Sequence, residues 1–253
     1  MIYCLYPGVV SWAVIIAIEG MDKAGKQTQS AMLQDALAKR GISSRIFHFP
    51  DYGTDIGGVI ERRLEPQGRD GSADAPQALH CLLAANRWEH LHSIRDACSR
   101  YDVVIMDRYY PSNIAYGTAN GMDPGWLANL DEGLPAPDIV ILLDIPVPVS
   151  FERSPAMRDS LERDREFLEA VRAEYRALAG RGGWRIIPAD GPERDVHEAV
   201  LGALPSHLGG GAAAGSGGGD DGATIAVPTH AVTGATATTN EQDGSRPGEA
   251  SRA

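Results

Sequence analysis

The chain has 253 residues, 43% of them hydrophobic, and carries a formal charge of −11. That length suits one globular domain with appendages, and the acidic balance excludes a nucleic-acid binder that works through general basicity. Cys4, Cys81 and Cys98 lie far apart, with neither a CxxC pair nor Cys/His metal spacing. They point to a reduced, cytoplasmic protein without structural zinc.

In chain order, "MIYCLYPGVVSWAVIIAI" comes first. No positive charge precedes this apolar run and Pro7-Gly8 divides it, so it is read as neither a signal nor a membrane anchor. Residues 1–11 read as an N-terminal extension and Ala13 to Ile18 as a buried strand. A helix is expected from about Lys26 to Arg40, stopped by Gly41. "SSRIFHF" (43–49) is a second strand, ended by Pro50, and a long helical stretch covers about Pro76 to Arg100. "DVVIMD" (102–107), "DIVILLD" (138–144) and "WRII" (184–187) complete five strands. Helical pattern returns between Asp164 and Ala179, and again from about Arg194 to Leu204. Each strand is short and apolar on both faces, as in a covered parallel sheet. Such alternation implies an α/β three-layer sandwich with right-handed crossovers. From Gly209 onward the text is Gly/Ala/Thr-rich and lacks the apolar surface to offset its ordering entropy. The domain is therefore placed at 12–208 and a disordered tail at 209–253.

Between the first strand and the first helix lies "GMDKAGKQTQS" (20–30), a G-x-x-x-x-G-K loop. The glycine pattern alone is a weak signal. Its position is the stronger one, because backbone N–H groups and the positive helix end converge where a phosphate would sit. Gln27 stands where such loops usually place a Ser or Thr on Mg2+. Mg2+ binds readily through its own waters with one or two carboxylates, and Asp107 ends a neighbouring strand. The loop is thus expected to serve ATP, with the metal's support moved to Asp107.

Three further stretches exceed plain scaffold. "AANRWE" (84–89) places Arg87 within a helix. "MDRYYPSNIAYG" (106–117) puts Asp107 and Arg108 at the carboxyl end of a strand, the edge where open α/β sheets bind ligands. "FERSPAMRDSLERDREF" (151–167) is dense in arginine.

Together these stretches resemble the thymidylate kinases over roughly residues 13 to 204. "EGMDKAGKQTQS", "FHFPDYGTDIG", "ANRWE", "DRYYPSNIAYG", "LDEGLPAPDIVILLD" and "DVHEAV" follow in that family's order, and "GKQTQ", "FPDY" and "PSNIAYG" are closest to its archaeal branch. The resemblance implies a P-loop NTPase fold with sheet order 2-3-1-4-5. It implies ATP-dependent phosphorylation of dTMP to dTDP with Mg2+, a homodimer, and no nucleic-acid or membrane partner.

By position, Gly20, Met21, Asp22, Lys23, Ala24, Gly25, Lys26, Gln27 and Thr28 would bind ATP, with Lys26 on the β and γ phosphates. Asp22, Phe49, Pro50, Arg87, Arg108, Ser112 and Tyr116 would bind dTMP. Within that set, Arg108 would hold the acceptor phosphate, Asp22 the sugar 3′-OH and Arg87 the thymine edge, with Tyr116 packed on the sugar. A lid at about 153–164 would bring Arg153 or Arg158 to the transferring phosphoryl, with Lys23 as the rival cation. Tyr52, Leu83 and Leu161 depart from common family residues. The departures motivate two alternatives: a deoxynucleoside monophosphate kinase of relaxed base choice, and a catalytically silent nucleotide-binding regulator.

Overall fold

The computed structural model describes residues 13–64, 76–153 and 165–209. The expected extension at 1–11, the expected lid beyond Arg153 and the expected tail beyond Gly209 lie outside them. Gly209 itself closes a short final helix.

Among the described residues there are five strands: β1 (Val14–Glu19), β2 (Ser44–His48), β3 (Val103–Asp107), β4 (Ile139–Asp144) and β5 (Arg185–Pro188). All pairings are parallel, in the order β2-β3-β1-β4-β5. The first helices are α1 (Lys26–Ala38), α2 (Asp55–Leu64), α3 (Pro76–Glu89), α4 (Leu91–Arg100) and α5 (Tyr110–Ala119). After them come α6 (Pro124–Asn129), α7 (Val147–Arg153), α8 (Arg165–Gly182), α9 (Glu193–Gly202) and α10 (Ser206–Gly209).

Successive strand residues point to opposite faces, and two cores follow from that alternation. Ile16, Ile18, Val103, Ile105 and Ile141 meet Leu33 and Leu37 of α1, Leu168, Val171 and Tyr175 of α8, and Val196 and Val200 of α9. Ile15, Ala17, Val104 and Met106 meet Ile94, Ala97 and Cys98 of α4 on the other face. Burial of each such side chain contributes about 1.5–3 kcal/mol. β3 is buried at every position, as the sequence predicts. The edge strands differ: β2 and β5 each have one buried residue, because only one neighbour and part of a layer cover them.

Two other expectations need correction. The stretch 76–100 is two helices, broken at His90, whose amide bonds back to the Arg87 carbonyl at 3.1 Å. The break lets α4 lie under the sheet while Arg87 stays at the cavity. Helices α2 and α5 were not expected. Their sequences, "DIGGVIERRL" and "YPSNIAYGTA", are rich in poor helix formers. Packing overrides that propensity: α5 buries six of its residues, and a Cβ on Gly117 would come within 2.5 Å of Leu127 in α6.

In the register, Ile18 lies beside Asp107 and Glu19 beside Leu142. The loops after β1 and β3 therefore leave the sheet side by side. That places the site.

Candidate active site

The loop after β1 turns because Gly20 adopts φ +142°, where a Cβ would also meet the Leu143 carbonyl at 2.5 Å. Gly25, in the left-handed region, leads into α1 without a side-chain cap, and no acidic residue occupies the first turn. The positive end of a thirteen-residue helix is thereby left for an anion. Lys26 is buried, and its ammonium donates to the Met21 carbonyl at 2.8 Å and lies 3.8 Å from Asp22 Oδ1.

Helix α7 fastens the loop from behind. Ser150 Oγ donates to the Asp22 carbonyl at 3.0 Å, and Arg153 Nη1 to the Lys23 carbonyl at 3.1 Å. Arg153 Nη2 reaches the Ala189 carbonyl at 2.9 Å, tying the loop to the turn after β5. Lys23 is exposed and held at φ 65°.

Asp107 ends β3, is 8% exposed, and meets His48 Nδ1 at 2.9 Å. Its neighbour Arg108 has φ 64°, a strained value for a non-glycine residue. Buried Glu19 supports that backbone: Oε1 accepts the Tyr109 N–H at 2.8 Å, and Oε2 accepts Ser112 Oγ–H at 2.6 Å. Burial pushes the Glu19 carboxyl up from its ordinary range, opposed by the Ser112 hydrogen bond and by Arg108. Tyr175 of α8 joins the group, its hydroxyl 2.8 Å from Ser112 Oγ and 3.3 Å from Glu19 Oε2. Arg108 Nη1 donates to the Gly20 carbonyl at 3.0 Å, while Nη2 pairs with Asp22 Oδ1. The guanidinium lies 5.6 Å from the Tyr116 ring centre.

Arg87, on α3, is held differently. Its Nε and Nη2 donate to Oδ1 and Oδ2 of Asp131 at 2.8 and 2.7 Å, with both residues buried.

Many of these groups line one cavity of about 990 Å³, at the top of the usual range for a single ligand. Asp22 to Thr28 line it, as do Phe49, Pro50, Arg87, Asp107, Arg108, Ser112, Tyr116 and Arg153. Gly20 and Met21 stand behind the loop and contribute carbonyls, and Arg158 lies outside the described residues. Sequence reasoning missed the far wall, made by Ala189, Gly191, Pro192, Glu193 and Val196. The turn "ADGP" after the last strand was its signal, since it leaves the ligand-binding edge. Glu19 was missed too, although a carboxylate ending an apolar strand is itself a cue. Asp131 and Tyr175 carried no local cue.

A glycine-turned loop at an uncapped helix N-terminus, with lysines and arginines lining one cavity, fits a nucleoside monophosphate kinase of the P-loop fold. Comparison with known proteins narrows this. Residues 18–200 match the thymidylate kinase family. A probable thymidylate kinase of the archaeon Thermococcus onnurineus is 35% identical over 202 residues, covering 77% of this chain and 98% of that protein. The thymidylate kinase of Schizosaccharomyces pombe is also 35% identical, covering 74% and 89%. The solved thymidylate kinase of Candida albicans superposes with a TM-score of 0.60 at 28% identity, over 70% of this chain and 84% of that one. The chain belongs to the thymidylate kinase family and is an ATP-dependent phosphotransferase that converts dTMP to dTDP.

Proposed function

We propose that ATP and dTMP lie end to end in the cavity, with their phosphates meeting at the point that Asp22 occupies here. The observation that carries this reading is the shared contact of Asp22 Oδ1 with both Lys26 and Arg108. Donor-side and acceptor-side cations converge on one oxygen. Phosphate oxygens of two substrates can take that carboxylate's place, freeing Asp22 for the sugar 3′-OH.

In the transfer, an acceptor phosphate oxygen attacks the γ phosphorus in line. A new P–O bond forms, the bond to the β–γ bridging oxygen breaks, and ADP leaves. The nucleophile is already anionic, so no strong base is required and catalysis lies in positioning and charge compensation. The loop amides and Lys26 bind the β and γ phosphates, and Arg108 binds the acceptor phosphate. Arg153 holds the loop at Lys23, which leaves the Lys23 ammonium or Arg158 to stabilise the moving phosphoryl.

Among the described residues no group of three or more His, Cys, Asp or Glu could cage a metal. A single buried carboxylate at the cavity wall, Asp107 beside His48, fits Mg2+ held through its waters. Such an ion supplies charge neutralisation at the β and γ phosphates. Gln27 is exposed at the cavity and suits a contact with that water shell.

Arg87 is placed at the thymine O4, because a guanidinium only donates hydrogen bonds. No described helix is long and apolar enough to cross a membrane, and family likeness supports a cytoplasmic homodimer, whose mass in solution would be that of two chains.

The test is kcat/KM for dTMP, dUMP and dCMP on the native chain and Arg87→Ala. An unmatched donor pair costs about 1–3 kcal/mol per group, so native enzyme should reject dCMP by about two orders of magnitude or more. One buried methyl is worth about 1 kcal/mol, so dUMP should remain a measurable substrate. Arg87→Ala should weaken dTMP and narrow its advantage over dCMP. An unchanged ratio would remove Arg87 from base reading, and ready use of dCMP by native enzyme would favour relaxed base choice.

A further inference from the structure

We propose that Asp131 is a specificity-determining positioning residue: its buried two-bond pair with Arg87 turns a cation into an aimed, charge-compensated donor for a neutral base. The proposal rests on the reading of Arg87 as the group that meets the base.

Arg87 and Asp131 are 3% and 4% exposed, and both carboxylate oxygens are engaged by Nε and Nη2. Two parallel bonds fix the guanidinium plane as well as its position. No partner of Nη1 is found among the described residues, and Arg87 lines the cavity. The loop that carries Asp131 is fastened to the same helix at the next residue. Trp88 Nε1 donates to the Leu130 carbonyl at 2.8 Å, and a Cβ on Gly133 would meet the Trp88 ring at 3.3 Å. Asp131 is thus built into the base end of the cavity from two sides.

Stability alone is a poor reason for such a pair, since desolvating two charges offsets much of their attraction. Chemistry offers a better one. A bare guanidinium in a closed pocket prefers an anion and would draw in the phosphate of the very nucleotide it must orient. Paired with Asp131 it carries no net charge and presents only an N–H, which suits a carbonyl oxygen. The fixed plane then makes an amino group at that position a clash of donors.

The experiment measures the dTMP-to-dCMP ratio of kcat/KM, and inhibition by inorganic phosphate against dTMP, for native enzyme, Asp131→Asn and Arg87→Ala. Asp131→Asn should narrow the ratio at least tenfold, through KM for dTMP more than through kcat. It should also strengthen phosphate inhibition several-fold, because the arginine charge is uncovered. If Asp131→Asn keeps the native ratio and phosphate inhibition while Arg87→Ala changes the ratio, Asp131 is scaffold only and the proposal falls with the base reading intact. Should Arg87→Ala itself leave the ratio unchanged, the underlying reading fails, and the proposal with it. If Asp131→Asn gives no cooperative melt, Asp131→Glu replaces it, keeping the charge but displacing the carboxylate by one methylene. It should narrow the ratio with phosphate inhibition unchanged, and a native ratio in that variant overturns the proposal.

Discussion

Arg87 and Arg108 both line the cavity and both meet an aspartate, but the two pairs are built differently. The Arg87 and Asp131 side chains are 4% and 1% exposed, whereas those of Arg108 and Asp22 are 15% and 29% exposed. Asp131 uses both oxygens on one arginine; Asp22 shares one oxygen between Arg108 and Lys26. The first pair is closed and can only present what it leaves over. The second is open to solvent, so a phosphate can displace the carboxylate at little cost. Burial decides whether an arginine reads shape or charge.

The largest effect follows from removing the open arginine. Each hydrogen bond to a charged group is worth about 1.5–3 kcal/mol, so Arg108→Ala should lower kcat/KM for dTMP by two to three orders of magnitude, at about 1.36 kcal/mol per decade. On the proposal that Arg108 holds the acceptor phosphate, the losses for dTMP and dUMP should match. A base-dependent loss in steady-state assays would break the division of labour between the two arginines.

Stability should show the reverse order. Removing one partner of a buried pair costs about 3–5 kcal/mol, and removing one from a partly exposed, better solvated pair costs less. At about 2–4 °C per kcal/mol for a domain of this size, Asp131→Ala should lower the melting temperature by about 10 °C or more, while Asp22→Ala should shift it by only a few degrees. Equal shifts in a thermal melt would show that the Arg108 pair is as much a part of the scaffold as the Arg87 pair.

Sequence carried unequal amounts of this contrast. The three central strands were legible because Val-, Ile- and Leu-rich runs of five to six residues have few other uses. The loop was legible because its glycines and lysine are adjacent in the chain. The roles of Arg87 and Arg108 came from the resemblance, which named Asp22 as a site residue but not as the partner of Arg108, and did not name Asp131. Asp131 lies 44 residues from Arg87, and Tyr175 lies 63 residues from Ser112; no local pattern links them. Helices α2 and α5 were hidden for a related reason. Their glycines, and the proline, serine and asparagine of α5, answer to neighbours in space, so propensity does not mark them as helices.

The smallest expected effect concerns pH, and it sharpens the comparison at the Arg87 end. His80, on α3 one helix face from Arg87, is 1% exposed. Asn113 Nδ2 donates to the His80 carbonyl at 3.2 Å, which turns Asn113 Oδ1 toward the ring, 2.6 Å from Nδ1. The imidazole therefore carries a proton on Nδ1. Burial holds its pKa below the ordinary 6.5, and the Arg87 charge adds to that, against the Asn113 hydrogen bond. In the unfolded chain the same histidine takes its proton near 6.5, so below that pH the unfolded state binds more protons. Stability is then full above about pH 6.5 and falls as the pH drops toward the lowered folded value. Asn113 lines the cavity, so this loss is centred on the closed end of the site. The check is the melting temperature between pH 7.5 and 5.5 for the native chain and His80→Gln, which keeps a neutral donor for Asn113. The variant should lose less on acidification, by about 1–2 °C if His80 accounts for a few tenths of a kcal/mol. His197, also held low by burial, stays in both proteins and cancels in the difference. Parallel pH curves for the two proteins would mean that His80 already takes up its proton in the folded state, and that the closed end of the site is less dry than the Arg87 pair requires.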